Sequence, residues 1–147
     1  MSKTNYFEYS LLQHIFNGVA LTPNLGATGG TTQLWLGLHT ADPGEAGSTA
    51  NEGGYTAYAR VAVERSTSGW VASSNATTAP ASVSPVANVD FPQVATTSTG
   101  TYTHGSVFPA SNTTGPQALY TGAITPNINF SQNVTPRITT ASAITEQ

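Results

Sequence analysis

The chain changes its hydrophobic period once, and that change decides most of what it can fold into. Phe7, Leu11 and Ile15 are spaced by four, and Leu12 and Phe16 form a second row beside them. Rows with this spacing share one broad face of an α-helix. Asn5 suits the N-cap, and Glu8 stands three residues on, as a capping box requires. Gly18, just after Asn17, suits the left-handed residue that ends a helix. The spacing therefore predicts one helix over Asn5–Asn17, its apolar face lying on a sheet or docking onto another subunit.

After Gly18 the period is two. Leu34, Leu36 and Leu38 alternate with Gln33, Trp35, Gly37 and His39. Ala59, Val61 and Val63 alternate with Tyr58, Arg60, Ala62 and Glu64, in a strand read over residues 56–64. Alternation of this kind marks strands with one buried face. Further strand-like stretches are residues 69–71, Val89 to Phe91 before Pro92, and residues 101–108, 118–124, 128–130 and 137–144. Gly, Pro, Asn and Asp separate them. Residues 22–32 read as a connection, residues 40–54 as a long surface loop, and residues 73–85 as a polar, proline-containing segment. The expected fold is mainly β. An N-terminal amphipathic helix (residues 1–18) precedes a single β domain (residues 19–147), an antiparallel sandwich or barrel of about seven short strands.

Charge narrows the function. Only 7% of the 147 residues are Asp, Glu, Lys or Arg, against roughly 25% in an ordinary soluble domain. From Phe91 to Thr145 the one formal charge is Arg137. Such a surface either relies on Ser, Thr, Asn and Gln for solubility or is covered by neighbours, and both fit an assembly subunit. With 38% hydrophobic residues and a net charge of −3, the composition is not that of a disordered chain. Four scattered basic residues, Lys3, Arg60, Arg65 and Arg137, cannot neutralise a run of phosphates, so nucleic acid is not an expected partner. No apolar run approaches the roughly 20 residues of a membrane helix. The N-terminus lacks the order of a signal peptide, so assembly in the host cytoplasm is expected, and the Asn-x-Ser/Thr triplets at Asn75, Asn112 and Asn133 read as chance. There is no cysteine, hence no disulfide and no thiolate metal site.

Catalytic patterns are thin. There is no Gly-x-Ser-x-Gly elbow and no phosphate-binding Gly-rich loop. His39, Asp42 and Glu45 carry metal-ligand chemistry, but an Asp-Pro-Gly turn accounts for the same residues. The acids Asp42, Glu45, Glu52, Glu64 and Asp90 would support glycoside cleavage only if two of them faced each other across a cleft. No cofactor, metal or catalytic residue is expected. The residues best suited to a subunit interface are the helix row Phe7, Leu11 and Ile15, the aromatics Tyr55, Tyr58 and Trp70, and the forked donors Arg60 and Arg65.

Several blocks resemble a family of small structural proteins of tailed bacteriophages. These are Thr4-Asn5-Tyr6-Phe7-Glu8 with Leu12-Gln13-His14-Ile15-Phe16-Asn17-Gly18, then Leu34-Trp35-Leu36-Gly37-Leu38-His39-Thr40-Ala41-Asp42-Pro43-Gly44, then Asn51-Glu52 and residues 54–63. Weaker echoes are Val89-Asp90-Phe91-Pro92, Tyr102-Thr103-His104-Gly105 and Leu119-Tyr120-Thr121-Gly122-Ala123. Members are labelled tail-fibre-like or head decoration (cement) proteins. The resemblance implies a non-enzymatic virion component whose partners are the major capsid protein or other virion proteins, and a homo-oligomer, with a trimer expected from decoration proteins at three-fold positions. The short, compact chain lacks a heptad or collagen-like stalk, so a capsid decoration role is the first expectation. A tail-fibre or tail-tip module binding a host receptor or glycan is the alternative.

Overall fold

A computed structural model describes residues 5–20, 32–44, 48–72, 81–111 and 118–146, and side chains within these except those of residues 5–8 and 146. Lys3, Glu45, Asn75 and Asn112 lie outside the described residues, as do the side chains of Phe7 and Glu8 and almost all of residues 22–32 and 73–80. The elements are α1 (Asn5–Asn17), β1 (Gln33–His39), β2 (Val61–Glu64), β3 (Trp70–Ala72), β4 (Ala81–Pro85), β5 (Val89–Asp90), β6 (Gly100–Phe108), β7 (Tyr120–Phe130), β8 (Arg137–Ile138) and β9 (Ile144–Glu146). They fall into two compact units. Unit 1 comprises Met1–Thr32, Val63–Asn88 and Thr139–Gln147; unit 2 comprises Gln33–Ala62 and Val89–Ile138.

In unit 1, α1 lies on a three-stranded antiparallel sheet of order β3-β4-β9. The helix boundaries are those the spacing predicts, and Gly18 takes φ +69°. Of the two apolar rows, Leu12 and Phe16 are fully buried, while Leu11 and Ile15 are half-buried. Phe16 meets Trp70 edge to face, with ring centroids 4.6 Å apart. Strand β4 was not expected inside the polar segment 73–85. It forms because Ala81, Val83 and Pro85 alternate inward with Ser82 and Ser84 between them, in register with β3 and β9.

The helix C-terminus is closed from outside the helix. Arg65 donates from Nη2 to the carbonyl of His14 and from Nε to that of Ile15, each at 2.5 Å. The carbonyl of Gln13 accepts from the Val19 amide at 3.2 Å. The carbonyls of Gln13, His14 and Ile15 thus have donors from outside the helix, and a cation sits at the negative end of the helix dipole.

The larger sheet has the order β2-β1-β6-β7; its strands β1, β6 and β7 and the Val61–Ala62 start of β2 fall in unit 2, as does the short antiparallel pair β5-β8. The central pairing is antiparallel, from Trp35↔Phe108 to His39↔His104. Beside it is an aromatic core. Tyr102 stacks on Phe130 at 4.7 Å, Tyr55 lies 5.6 Å from Phe130, and Tyr58 stacks on Phe91 at 6.0 Å. The Phe130 ring dictates two glycines. A Cβ at Gly100 would come within 2.6 Å of it and one at Gly54 within 2.9 Å, closer than packed carbons approach.

The fold is mainly β, with one N-terminal helix and antiparallel sheets, as the period change predicts. The described sheets are open and sandwich-like, not a closed barrel. Three boundaries differ from the sequence reading. Strand β2 starts at Val61, because Tyr55 to Tyr58 forms a turn in which the Tyr58 amide donates to the Tyr55 carbonyl at 3.0 Å. The stretches expected at 118–124 and 128–130 are one strand, β7. The stretch expected at 137–144 divides into β8 and β9, which pair with different partners.

Trp70 is 1% exposed, whereas Trp35 is half-buried. Trp70→Ala should lower the unfolding free energy by about 3–5 kcal/mol through lost transfer energy and a cavity. Trp35→Ala should cost clearly less. Urea unfolding followed by circular dichroism measures both.

Candidate functional site

The exposed loop that follows β1 is held at its base by buried charge. Beyond His39 the chain leaves the sheet, and at Asn51 it returns. The Thr40 amide donates to the Asn51 carbonyl at 3.0 Å, and the Gly53 amide to the Leu38 carbonyl at 3.0 Å. His39 and Glu52 form an isolated antiparallel bridge between them. Thr40, Ala41 and Asp42 are exposed. Asp42 accepts the Gly44 amide at 2.8 Å, the turn its Asp-Pro-Gly sequence predicts.

Glu52 locks this base. Its carboxylate takes two hydrogen bonds from Arg60, Nε to Oε1 and Nη2 to Oε2, both 2.7 Å. The two side chains are 0% (Arg60) and 1% (Glu52) exposed. Arg60 also donates from Nη1 to the Ala110 carbonyl at 3.1 Å and lies 3.3 Å above the Phe108 ring. Tyr58 donates to Glu52 Oε1 at 3.1 Å while its oxygen accepts the Leu38 amide at 2.8 Å. This geometry uses the planar fork of an arginine, which a lysine cannot copy. Gly37 leaves the necessary room. A Cβ there would come within 2.8 Å of Phe108 and 2.9 Å of Glu52 Oε1. Burial, then the Glu52 charge, push the Tyr58 hydroxyl well above its usual pKa, so it stays a donor.

His39 lies one strand position away and is fully buried. Its Nε2 is 2.8 Å from Ser106 Oγ, and its Nδ1 has no hydrogen-bond partner among the described residues. Serine against histidine is a nucleophile–base contact, which the sequence motifs do not reveal because Ser106 comes from the partner strand. Both side chains are in the core, and no carboxylate orients the far nitrogen as a catalytic triad requires. In the folded chain the pair is a core hydrogen bond. Desolvation lowers the His39 pKa below 6.5, opposed by Glu52 and assisted by Arg60 and His104.

The remaining sequence candidates scatter. Asp42 faces the Gly44 amide and, at 4.0 Å, His104 Nε2. His39 turns inward, so these two do not converge, and Glu45 lies outside the described residues. No metal-binding group of three His, Asp or Glu occurs among the described residues. Asp90 is gripped by Arg137 across the β5-β8 pair, with Nη2 at 2.8 Å from Oδ2 and a second contact from Nε to Oδ1. That hydrogen bonding holds the Asp90 carboxyl below its usual pKa. Glu64 is exposed. Of the residues expected at a subunit interface, Tyr55, Arg60 and Trp70 are buried within the chain, Tyr58 and Arg65 are bonded as described, and Leu11 and Ile15 are half-exposed on α1.

Two outcomes follow from the buried pair and its histidine. Arg60→Ala strands a buried carboxylate and should cost about 3–5 kcal/mol. In a double-mutant cycle Glu52→Gln with Arg60→Met should cost less than the sum of the two single changes, read by urea denaturation. His39 sets a pH dependence. Above pH 6.5 it is neutral folded or unfolded. Below that value the unfolded chain binds a proton that the folded chain resists, so stability falls with pH until the lowered folded pKa is reached. The urea midpoint should drop as pH is lowered from 6.5, and His39→Gln should flatten that limb.

The geometry thus gives a braced β scaffold that presents a loop. No curated protein matches the chain. A family model described as podophage GP4 fiber I protein gp80 matches residues 2–145, nearly the whole chain, in agreement with the resemblance carried by the helix and the β1 and 54–63 blocks. The chain therefore belongs to this family of phage fibre-type virion structural proteins.

Proposed function

We propose that the chain works without catalysis as a fibre module of the phage tail, presenting loops to the host surface. The observation that carries this reading is the family match over residues 2–145, whose description is a fibre protein. It favours the tail-fibre alternative over the capsid decoration role. The absence of a heptad or collagen-like stalk weighs less than it first does, because fibres are also built by stacking compact β modules end to end.

The fold supports the same reading. A host-binding module must keep its exposed loops in place while its scaffold resists the environment outside a cell. Here the loop after β1 is tied back to the sheet by a bidentate ion pair with almost no solvent contact. The reactive-looking groups are engaged in structural bonds: Ser106 with His39, Glu52 with Arg60, Asp90 with Arg137.

Immunogold labelling and quantitative mass spectrometry of purified particles test the position. The expected result is a small number of copies per particle that leave with the tail fraction. Purified chain added in excess should also slow adsorption of the phage to its host. Hundreds of copies on the head would restore the decoration reading and overturn this one.

A further inference from the structure

His14 and His104 keep partial contact with solvent, whereas His39 is fully buried. Its place in the chain matters as much as its burial. It is the last residue of β1, and Thr40, Ala41 and Asp42 directly after it are exposed. It is bridged to Glu52 where the loop returns and paired in register with His104 on β6. Moving it outward unzips only the end of β1, with the Thr40–Asn51 and Gly53–Leu38 backbone bonds beside it.

The surroundings of the ring suit a neutral imidazole. An imidazolium carries an N–H on both nitrogens. Ser106 Oγ, 2.8 Å from Nε2, can accept one. Nδ1 has no partner among the described residues, so the second N–H would be a buried donor without an acceptor. Glu52, on the returning chain, attracts a proton to the ring, yet burial outweighs it. Both Glu52 oxygens are already taken by Arg60, itself a permanent cation that repels a second one. On β6, His104 opposes the proton as well, and Ser106 and Phe108 are uncharged. Asp42, on the loop, has a side chain 70% exposed and faces His104 Nε2 at 4.0 Å, away from the core.

We propose that His39 is a proton-operated latch on the loop after β1: in mildly acid surroundings it takes up a proton, turns out of the core and frees the loop, while the rest of unit 2 stays folded. Outside, both N–H groups find water. The buried Arg60–Glu52 pair keeps the returning chain in place, so the departing end moves against a fixed one. The sign follows from burial. The released ring has the ordinary pKa of 6.5 and the buried ring a lower one, so release takes up a proton below 6.5 and is favoured as pH falls. The latch belongs to the loop and holds wherever on the virion the chain sits.

Amide hydrogen exchange of the purified full-length chain tests this, followed residue by residue by NMR and expressed as protection relative to free peptide. The window runs from pH 6.5 down to about pH 5, above the range where carboxylates usually titrate. The opened loop holds one more proton, so protection of the Thr40 and Gly53 amides should fall by up to about tenfold per pH unit. The Phe91 and Val94 amides, bonded to the Pro136 and Val134 carbonyls, should keep theirs. His39→Gln should flatten the fall. Ser106→Ala, which removes the hydrogen bond to the ring, should lower protection at Thr40 and Gly53 by about fivefold at every pH and leave the slope. His104→Gln should leave the slope too. A flat wild-type profile at Thr40 and Gly53, an equal loss at Phe91 and Val94, a fall that survives His39→Gln or one abolished by His104→Gln would overturn the proposal. The first two outcomes need only the wild-type chain, so they decide the matter even where a variant does not fold.

Discussion

The bidentate pair between Arg60 and Glu52 is the interaction around which unit 2 is organised. In a chain so poor in charge, two of its few ionised groups are placed where water scarcely reaches. Burying them is expensive, and the expense is offset only if every donor and acceptor is used. The surroundings meet that demand. Arg60 spends its donors on Glu52 and Ala110 and its face on Phe108, and Glu52 also accepts from Tyr58. Tyr58 in turn ties the cluster to the β1 backbone. The pair fixes where the chain leaves β1, where it returns, and why residue 37 must be glycine. A hydrophobic pair of equal volume would fill the space without specifying that register.

Much of this architecture is legible in the sequence, because period is a strong signal. The helix limits, the inward set Leu34, Leu36 and Leu38, and strand β6 follow from spacing alone. What spacing cannot report is the second face of a central strand. Gly37 and His39 stand at positions that alternation assigns outward, yet both are buried, because Glu52, Phe108 and Ser106 arrive from elsewhere in the chain. Arg60 is obscured for the same reason. Its alternation with Ala59 and Val61 reads as a solvated face, and only the approach of Glu52 reveals a buried cation. Strand β4 escapes notice because Ala, Ser and Pro are weak strand formers, and its place is decided by α1 above it. Arg65 was open to the same ambiguity; the helix it caps is fifty residues away in sequence.

Low charge also takes on a different meaning once the ion pairs are located. Arg60, Arg65 and Arg137 are all committed to partners in their own chain. Among the described residues the exposed surface carries a few acids, such as Asp42 and Glu64, and is otherwise largely threonine, serine, asparagine and small apolar side chains, which have little rotamer entropy to lose on contact. Such a surface forms few long-range electrostatic preferences.

The arrangement of unit 1 bears on how the chain folds. Its helix packs on β4, and β4 pairs with β3 on one side and β9 on the other. Between β4 and β9 in sequence lies Val89–Ile138, the longer segment of unit 2. The β5-β8 pair sets Val89 against Ile138, the two ends of that segment. Once this pair has formed, β4 and β9 are joined by only a few residues on either side of it, so the entropy of closing a long loop no longer opposes their pairing. A two-residue clasp thereby turns a contact between distant parts of the sequence into a nearly local one, the kind that forms quickly.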